Sequence, residues 1–528
     1  MTHDAVVIGA GQNGLVAANL LADAGWDVLV IEASDSPGGA VRSAEVTAPG
    51  YLSDLCSAFY PLGMASPVLR DLQLHGYGLQ WRHAPEVLAH ILPDDRCVLL
   101  SRDIDRTAAS VDSFAPGDGD AWRRMFEVWQ RFGPTMMDAL LRPFPPVRPG
   151  LRIARGLGPV GMLRGGRYAL MTVRRLSTEL FRGEGAPLLL AGNALHTDLG
   201  TDSAGSAGFG FVLAMLGQDV GFPVPAGGAA RIIDALVNRL RSRGGTLICG
   251  DPVARVLVRD GRAAGVRLGS GEEIAARRAV LADVPAPALF LDLVGAEHLP
   301  ARFVADLSAF QWDNATVKVD WALSGRIPWL AEAARTAGTV HLAGDLNGLT
   351  RYSSDLVIGK VPEDPFLLLG QMTTADPDRS PPGTESVWAY THVPQGLPWD
   401  ADSVRRHADR MQAVIERHAP GFGDLVVGRA VHGPMDLQRL DGNLVEGAIN
   451  GGTAAVYQMF VYRPVPGLGR ADTPVDGLFL AGASAHPGGG VHGACGANAA
   501  RAALARNGRA GALYGAAIGL AQRQIYAR

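Results

Sequence analysis

Cysteine is scarce in this chain. Cys56, Cys97, Cys249 and Cys495 lie far apart in 528 residues, and no two form a C-x-x-C or C-x-x-x-x-C pair. A redox-active dithiol of the disulfide-reductase kind is therefore unsupported. The first strand is expected from Asp4, which leaves no room for a secretory leader, and sparse cysteine then points to a reducing cytoplasm. There is no run of about 18 or more apolar residues, so no membrane-spanning helix is expected. No H-E-x-x-H, no G-x-S-x-G and no cysteine/histidine zinc spacing occurs, so neither a metal centre nor a serine-nucleophile elbow is expected. A net charge of −4 gives no global reason to expect nucleic acid as a partner. What is abundant is apolar residues, at 47%, and glycine, at 67 positions, as in a large α/β enzyme rich in tight turns.

The glycines are placed, not scattered. The chain opens with an apolar strand, then Gly9-Ala10-Gly11-Gln-Asn13-Gly14, then an Ala/Leu-rich helix over 15–25, then a second strand ending in Glu32. This is the dinucleotide-binding fingerprint in its full context. Gly9 allows the tight turn, Gly11 lets the backbone approach a pyrophosphate, and Gly14 lets the helix pack close to the sheet. The helix start offers N–H groups and a positive dipole end to the phosphates. Glu32, followed by Ala33, stands where a carboxylate would accept hydrogen bonds from an adenosine ribose.

The next residues favour FAD over NAD. Gly38-Gly39 lets the chain pass close to a second part of a long cofactor. Arg42 has two readings, a pyrophosphate neutraliser or a plain surface arginine. Near the other end, Leu478 to Gly482-Ala483, then His486-Pro-Gly-Gly-Gly490-Val491-His492-Gly, reads as a buried strand, a glycine-rich turn and a helix from Ala494 to Arg506, with Asn507-Gly508 closing it. Such a helix start aimed at a flavin would stabilise charge on the reduced ring. No other G-x-G-x-x-G opens a strand–helix unit, so a separate NADPH site is not expected. Gly208-Phe-Gly-Phe-Val is read as helix packing.

These motifs resemble those of the phytoene-desaturase-like FAD oxidoreductases. So do Pro225-Ala-Gly227-Gly228 and Ala375-Asp376-Pro-Asp-Arg-Ser-Pro-Pro-Gly383. The run from Gly39 to Tyr51 is similar to the branch that includes animal proteins named for a pyridine-nucleotide-disulfide oxidoreductase domain. The resemblance implies FAD, a two-domain α/β fold and redox chemistry on a largely apolar substrate. The FAD-binding domain is then Rossmann-like, of glutathione-reductase type, and discontinuous. It is expected over 1–75, 223–300 and 465–528, with a mixed α+β substrate domain over 76–222 and 301–464. The resemblance also implies that Val253 pairs its backbone with the adenine.

Local patterns fill in the elements. An amphipathic helix is expected after Pro225, a strand at 245–250, a hairpin turning at Asp260-Gly261 and a return strand over 273–282. Ala121 to Leu141 has helical spacing and Val387 to Val393 alternates as a strand. From Ala139 to Thr178 there are eight arginines and no acid, with apolar residues between them. This segment would suit an anionic membrane surface, or be a solvated face at a subunit contact.

Flavin chemistry needs alignment more than a strong side-chain base. His486 is the candidate catalytic residue, to bind or position, with a structural histidine as the other reading. His492 is weaker. Tyr457, Phe460 and Tyr462 are either an aromatic wall over the site or core. The expected function is FAD-dependent dehydrogenation or saturation of a C–C bond in an isoprenoid, carotenoid-like or acyl compound. Electrons would pass to oxygen, a quinone or another acceptor. The alternatives are a flavin amine oxidase and a non-catalytic flavin-binding partner protein.

Overall fold

The computed structural model describes residues 1–527 and is organised around two seven-stranded sheets. In chain order their strands are β1 (Thr2–Ile8), β2 (Val28–Glu32), β3 (Glu86–Ile91), β4 (Cys97–Leu100), β5 (Thr246–Cys249), β6 (Val253–Arg259) and β7 (Arg262–Leu268). Then follow β8 (Glu273–Ala282), β9 (Ala315–Leu323), β10 (Ala337–Leu342), β11 (Leu367–Gln371), β12 (Glu385–Val393), β13 (Val426–His432) and β14 (Leu478–Leu480).

The first sheet runs β6-β7-β8-β1-β2-β5, with β14 also on β8. Its middle is parallel and buried on both faces, which is why β1, β2 and β14 read as continuous apolar runs. The long strand β8 has β1 along one edge and two partners along the other. Its early residues pair antiparallel with β7 and its later ones pair parallel with β14. The β6–β7 hairpin turns through Asp260 (φ 49°) and Gly261 (φ 74°), both left-handed, the geometry of a two-residue primed turn. Three helices cover one face and share its core: α1 (Gln12–Asp23), the helix Ala230–Ser242 and the helix Ala494–Arg506. The last lies so close to α1 that a Cβ on Gly496 would stand 1.8 Å from the Asn13 carbonyl oxygen.

The second sheet runs β13-β9-β12-β11-β10-β3-β4 and is antiparallel except for β10 with β3. Its two faces carry separate cores. One is covered by helices that include α2 (Asp118–Leu141), the other by the helix Ala401–His418. The alternation read in Val387–Val393 therefore does not mark a wet face, because every residue of β12 except Tyr390 is buried. Two boundaries also differ from expectation. The helix after Pro225 starts only at Ala230, because Val224 and Pro225 pair with Arg82 and Trp81. Gly508 is not left-handed, since a turn leads at once into a further helix, Gly511–Tyr526. Gly208 and Gly210 lie in the helix Ser206–Asp219.

One buried ion network joins the sheets. Arg379 is fully buried and donates to Asp54 (2.9 Å), to Asp376 (3.0 Å) and to the Pro225 carbonyl (3.2 Å). Asp376 accepts from Gly227 N–H (2.8 Å) and Asp54 from Ala229 N–H (2.8 Å). The two internal motifs of the sequence are thus bonded to each other. Removing one partner of such a network strands the remaining charge. Arg379→Leu is expected to lower unfolding free energy by about 3–5 kcal/mol, read by urea titration of tryptophan fluorescence; a loss below about 1 kcal/mol would mean the network does not hold the fold.

Candidate functional site

Gly9, Ala10 and Gly11 form the turn between β1 and α1. A Cβ on Gly14 would stand 2.1 Å from the Gly9 carbonyl oxygen, so only glycine fits there. Gly11, at the head of α1, has no side chain to cap it, the Gly14 N–H meets the Asp283 carboxyl, and Gln12 Oε1 and Asn13 Oδ1 are buried without a partner. The remaining N–H groups of the helix start suit a phosphate, whereas Gln12 Oε1 and Asn13 Oδ1 are acceptors and suit a hydroxyl or N–H donor. Glu32 closes β2, and its two oxygens accept from Ala10 N–H (2.7 Å) and Ser34 N–H (2.9 Å). Each oxygen keeps a lone pair for a hydroxyl donor. Ala33 beside it is exposed. Gly250 N–H bonds the carbonyls of Glu32 and Ser34, both at 3.0 Å, and so brings Val253, the first residue of β6, towards the same end of the sheet.

The second glycine pair closes over the first. Gly38 bridges Gly11 and donates to the Ala10 carbonyl (3.0 Å), with Gly39 beside it. Arg42 binds the carbonyls of Gly39 (2.9 Å) and Leu440, so it ties this loop to the segment after β13.

The C-terminal motif meets the fingerprint directly. Gln12 Nε2 donates to the Gly490 carbonyl (3.4 Å), and Val491 follows against Gly63. Gly482 N–H bonds the Ala282 carbonyl at the end of β8 (3.2 Å). The Ala483 carbonyl accepts from Arg463, a buried guanidinium that also donates to the carbonyls of Asn450, Gly451 and Thr453. Asp313 accepts three N–H groups of that loop, those of Ile449, Asn450 and Gly452. The loop beneath the motif is thus clamped by a cation on its carbonyls and an anion on its amides.

His486 is buried. Its Nε2 donates to the Arg142 carbonyl (2.9 Å), while Nδ1 has no partner. Burial pushes it down to about 4, so the ring is neutral at pH 7. Phe460 and Phe144 flank it, with centroids at 5.9 and 6.5 Å. Phe460, Tyr457 and Tyr462 are exposed, so these aromatics are not core. His492 accepts from Ala494 N–H (3.0 Å) and caps the helix that follows.

Three titratable residues at the site were not read from the sequence: Asp283, Lys318 and Asp320. Asp283, just past β8, accepts from Gly14 N–H (2.8 Å), and burial pushes it up to about 7, helped by Asp441 and Glu32. Lys318 and Asp320 form a buried pair on β9 (Nζ to Oδ1 2.6 Å). Together with Asp441 and Arg42 they act on Cys56, whose thiol burial pushes up to about 12. Lysine occurs at only two positions in the chain, 318 and 360. A lysine and an acid two apart within an apolar strand must share one buried face, which is the signal that could have found them. Asp283 had no local signal, because its partner lies 269 residues away.

Comparison with known proteins agrees with this geometry. A family profile described as an NAD(P)-binding Rossmann-like domain matches residues 7–73. Pyridine nucleotide-disulfide oxidoreductase domain-containing protein 2 of Rattus norvegicus is 30% identical, over 94% of this chain and 92% of that protein. Phytoene desaturase (neurosporene-forming) of Rhodobacter capsulatus is 25% identical, over 92% of this chain and 91% of that protein. The crystal structure of an oxidoreductase from Methanosarcina mazei superposes with a TM-score of 0.63 at 16% identity, over 96% of this chain and all of that one, and shares the fold.

Asp283 makes stability depend on pH. Folded, it holds its proton up to about 7, against an ordinary 3.8. Between those values the folded chain carries a proton that the unfolded chain has lost, so this contribution is lost as pH rises through the window. Asp283→Asn cannot ionise and keeps an oxygen for Gly14. Urea titrations should show the variant gaining on the wild type from pH 4 to pH 8; a constant difference would refute the assignment.

Proposed function

The chain belongs to the family of pyridine nucleotide-disulfide oxidoreductase domain-containing protein 2, within the phytoene-desaturase-like oxidoreductases, and from that premise we propose that it is an FAD-dependent oxidoreductase that dehydrogenates or saturates a C–C bond in an apolar isoprenoid, carotenoid-like or acyl compound. The observation that carries this reading is the meeting of two glycine-rich turns from opposite ends of the chain, at the Gln12–Gly490 contact. A single-phosphate ligand would need only the first turn. A long dinucleotide makes use of both, and of the Gly38-Gly39 crossing between them.

In this reading Gly11 and the start of α1 hold the pyrophosphate and Glu32 holds the ribose. Val253 meets the adenine, and Gly482, Ala483, Gly490 and Val491 line the flavin end. The bound flavin supplies hydride acceptance or donation. The chain's own residues bind, orient and exclude water. Asp283, neutral below about 7, sits beside the phosphates without repelling them. His486, held through Nε2 on Arg142, presents a neutral ring among phenylalanines, a surface suited to an apolar substrate. The name of the desaturase relative supports the same substrate class. Oxygen or a quinone is the proposed electron acceptor.

The purified protein is expected to show the visible bands of oxidised flavin, alone or after reconstitution with FAD. Gly14→Ala should weaken FAD binding by at least about tenfold (~1.4 kcal/mol), measured by flavin fluorescence quenching. Under anaerobic titration the flavin should bleach with carotenoid precursors or acyl lipids. Bleaching only by amines would replace this reading with an amine oxidase. A flavin that no donor reduces would favour a binding role, and no flavin at all would end the proposal.

A further inference from the structure

The second sheet carries a row of titratable side chains that the flavin reading leaves unused. Six residues stand opposite one another on neighbouring strands: His432 on β13, Lys318 on β9, Tyr390 on β12, Leu368 on β11, His341 on β10 and His90 on β3. Residues paired in this way project from one face of a sheet. His392, two positions beyond Tyr390, shares that face. Its ring lies 5.5 Å from the Tyr390 ring, and its Nδ1 meets the Thr316 hydroxyl at 3.3 Å. Leu368 is the apolar member of the rung, and a further histidine goes round it. His196 follows the helix Gly185–Ala194, and its Nε2 stands 3.0 Å from His341 Nε2. His392 acts on His196, and the Leu195 carbonyl beside His196 acts on His392. His341 then meets His90 edge to face, with centroids at 5.7 Å.

The row has an inner and an outer end. Lys318 acts on the Cys56 thiol together with Asp441. A Cβ on Gly39 would meet Asp441 Oδ2 at 3.2 Å and Gly11 Cα at 3.5 Å, so the inner end borders the cofactor face. At the outer end the Gly344 carbonyl lies near enough to the His90 ring to favour a proton on it, and Phe366 packs on His341 at 5.3 Å. Gly344 and Phe366 both line a surface cavity of about 930 Å³.

As packing alone the row is destabilising. Neither nitrogen of His90 makes a well-formed hydrogen bond, nor do His341 Nδ1 and His392 Nε2. A buried polar atom left unmet costs stability, and an apolar side chain of the same shape would avoid that cost. The fold nevertheless makes room for the rings: a Cβ on Gly192 would stand 2.2 Å from His341 Nδ1. Among the described residues no three such groups are arranged to hold a metal ion. Burial pushes His90 and His196 down to about 3 and His392 to about 4, and His341 falls well below its ordinary range. All four rings are therefore neutral at pH 7, each with one donor and one acceptor nitrogen. A ring of that kind takes a proton on one nitrogen, releases one from the other and holds no charge for long.

Dehydrogenating a C–C bond breaks two C–H bonds. One hydrogen leaves with its electron pair for the flavin. The other leaves as a proton, and its electron pair becomes the new π bond. We propose that the row Tyr390–His392–His196–His341–His90 conducts this proton from the cofactor face to the cavity beside Gly344. In saturation the same row runs inwards. One proton enters at one end as another leaves at the far end, and each ring between them moves its N–H from one nitrogen to the other. The inference rests on the flavin reading and adds to it the route by which the site exchanges protons with water.

The test uses the full-length, FAD-loaded protein, photoreduced and then mixed with ferricyanide in weakly buffered solution holding a pH indicator. Ferricyanide takes electrons only, so re-oxidation must release a proton to water. In the wild type, proton release should keep pace with the return of flavin absorbance and slow in heavy water. His341→Ala should release protons about a hundredfold more slowly, and added imidazole should restore the rate. His90→Gln should be slowed likewise, and it carries the test should His341→Ala not fold. His407→Gln is the control: that ring is equally buried, but on the helix covering the other face of the sheet, and should behave as the wild type. Without cofactor, protein labelled with 15N-histidine should show nuclear magnetic coupling between the Nε2 atoms of His196 and His341 through their shared proton. A protein that binds no flavin would overturn this inference and the flavin reading together. Wild-type release in either row variant, no rescue by imidazole, equal slowing in the control or absent coupling would overturn the proton path alone.

Discussion

The buried guanidinium of Arg379 is the constraint from which the relation of the two sheets follows. A cation with no access to water must find carboxylates, and those available come from different parts of the chain: Asp54 from beyond the second glycine pair and Asp376 from the turn after β11. Each carboxylate also receives a backbone N–H from the 227–229 turn, which leads into the helix covering the first sheet. Burying these charges is costly unless all are met together. The network therefore forms in one arrangement or not at all, and that arrangement fixes the cofactor face of the first sheet against the second. The arginine clamp at 463 repeats the logic on a smaller scale, with carbonyls in place of carboxylates.

Legibility in the sequence followed the range of the interaction. The fingerprint was readable because Gly14 answers a clash only five residues away, with Gly9. The Asp260-Gly261 hairpin was readable because two adjacent left-handed residues suffice to turn a pair of strands. The helix Asp118–Leu141 was readable from its own periodicity. The motif from Ala375 to Gly383 could be noticed but not explained, because the partner of Arg379 lies 325 residues earlier. Separation in sequence also hid Asp283, 269 residues from Gly14, and the hold of Asp313 on the loop around 449–453, 137 residues from Asn450. Val387–Val393 was readable as a strand, but not its surroundings. Alternation of residue types suggests one wet face, yet a central strand between two cores buries both, and its threonine and histidine find partners inside.

Electrostatics at the cofactor face is a balance between acids and a helix end. Glu32, Asp283 and Asp441 converge where phosphate charge is expected, and burial holds both aspartates above their usual range. A neutral carboxyl can sit beside a phosphate, whereas an ionised one repels it. The remaining N–H groups at the start of α1 and the dipole behind them then supply the attraction. Holding the Asp283 carboxyl neutral below about 7 thus makes this end of the sheet more hospitable to an anion.

The contact between Gln12 and Gly490 spans 478 residues, and this separation orders events in time. The first turn emerges from the ribosome long before the second exists. At about 5–20 residues per second, roughly half a minute to a minute and a half passes between them. Throughout that interval the nascent chain holds only the first of the two glycine-rich turns, with the face of α1 that Gly496 will cover still bare. The joining of the two turns is thereby a late event in the life of each molecule, and the helix Ala494–Arg506 completes the core of the first strands.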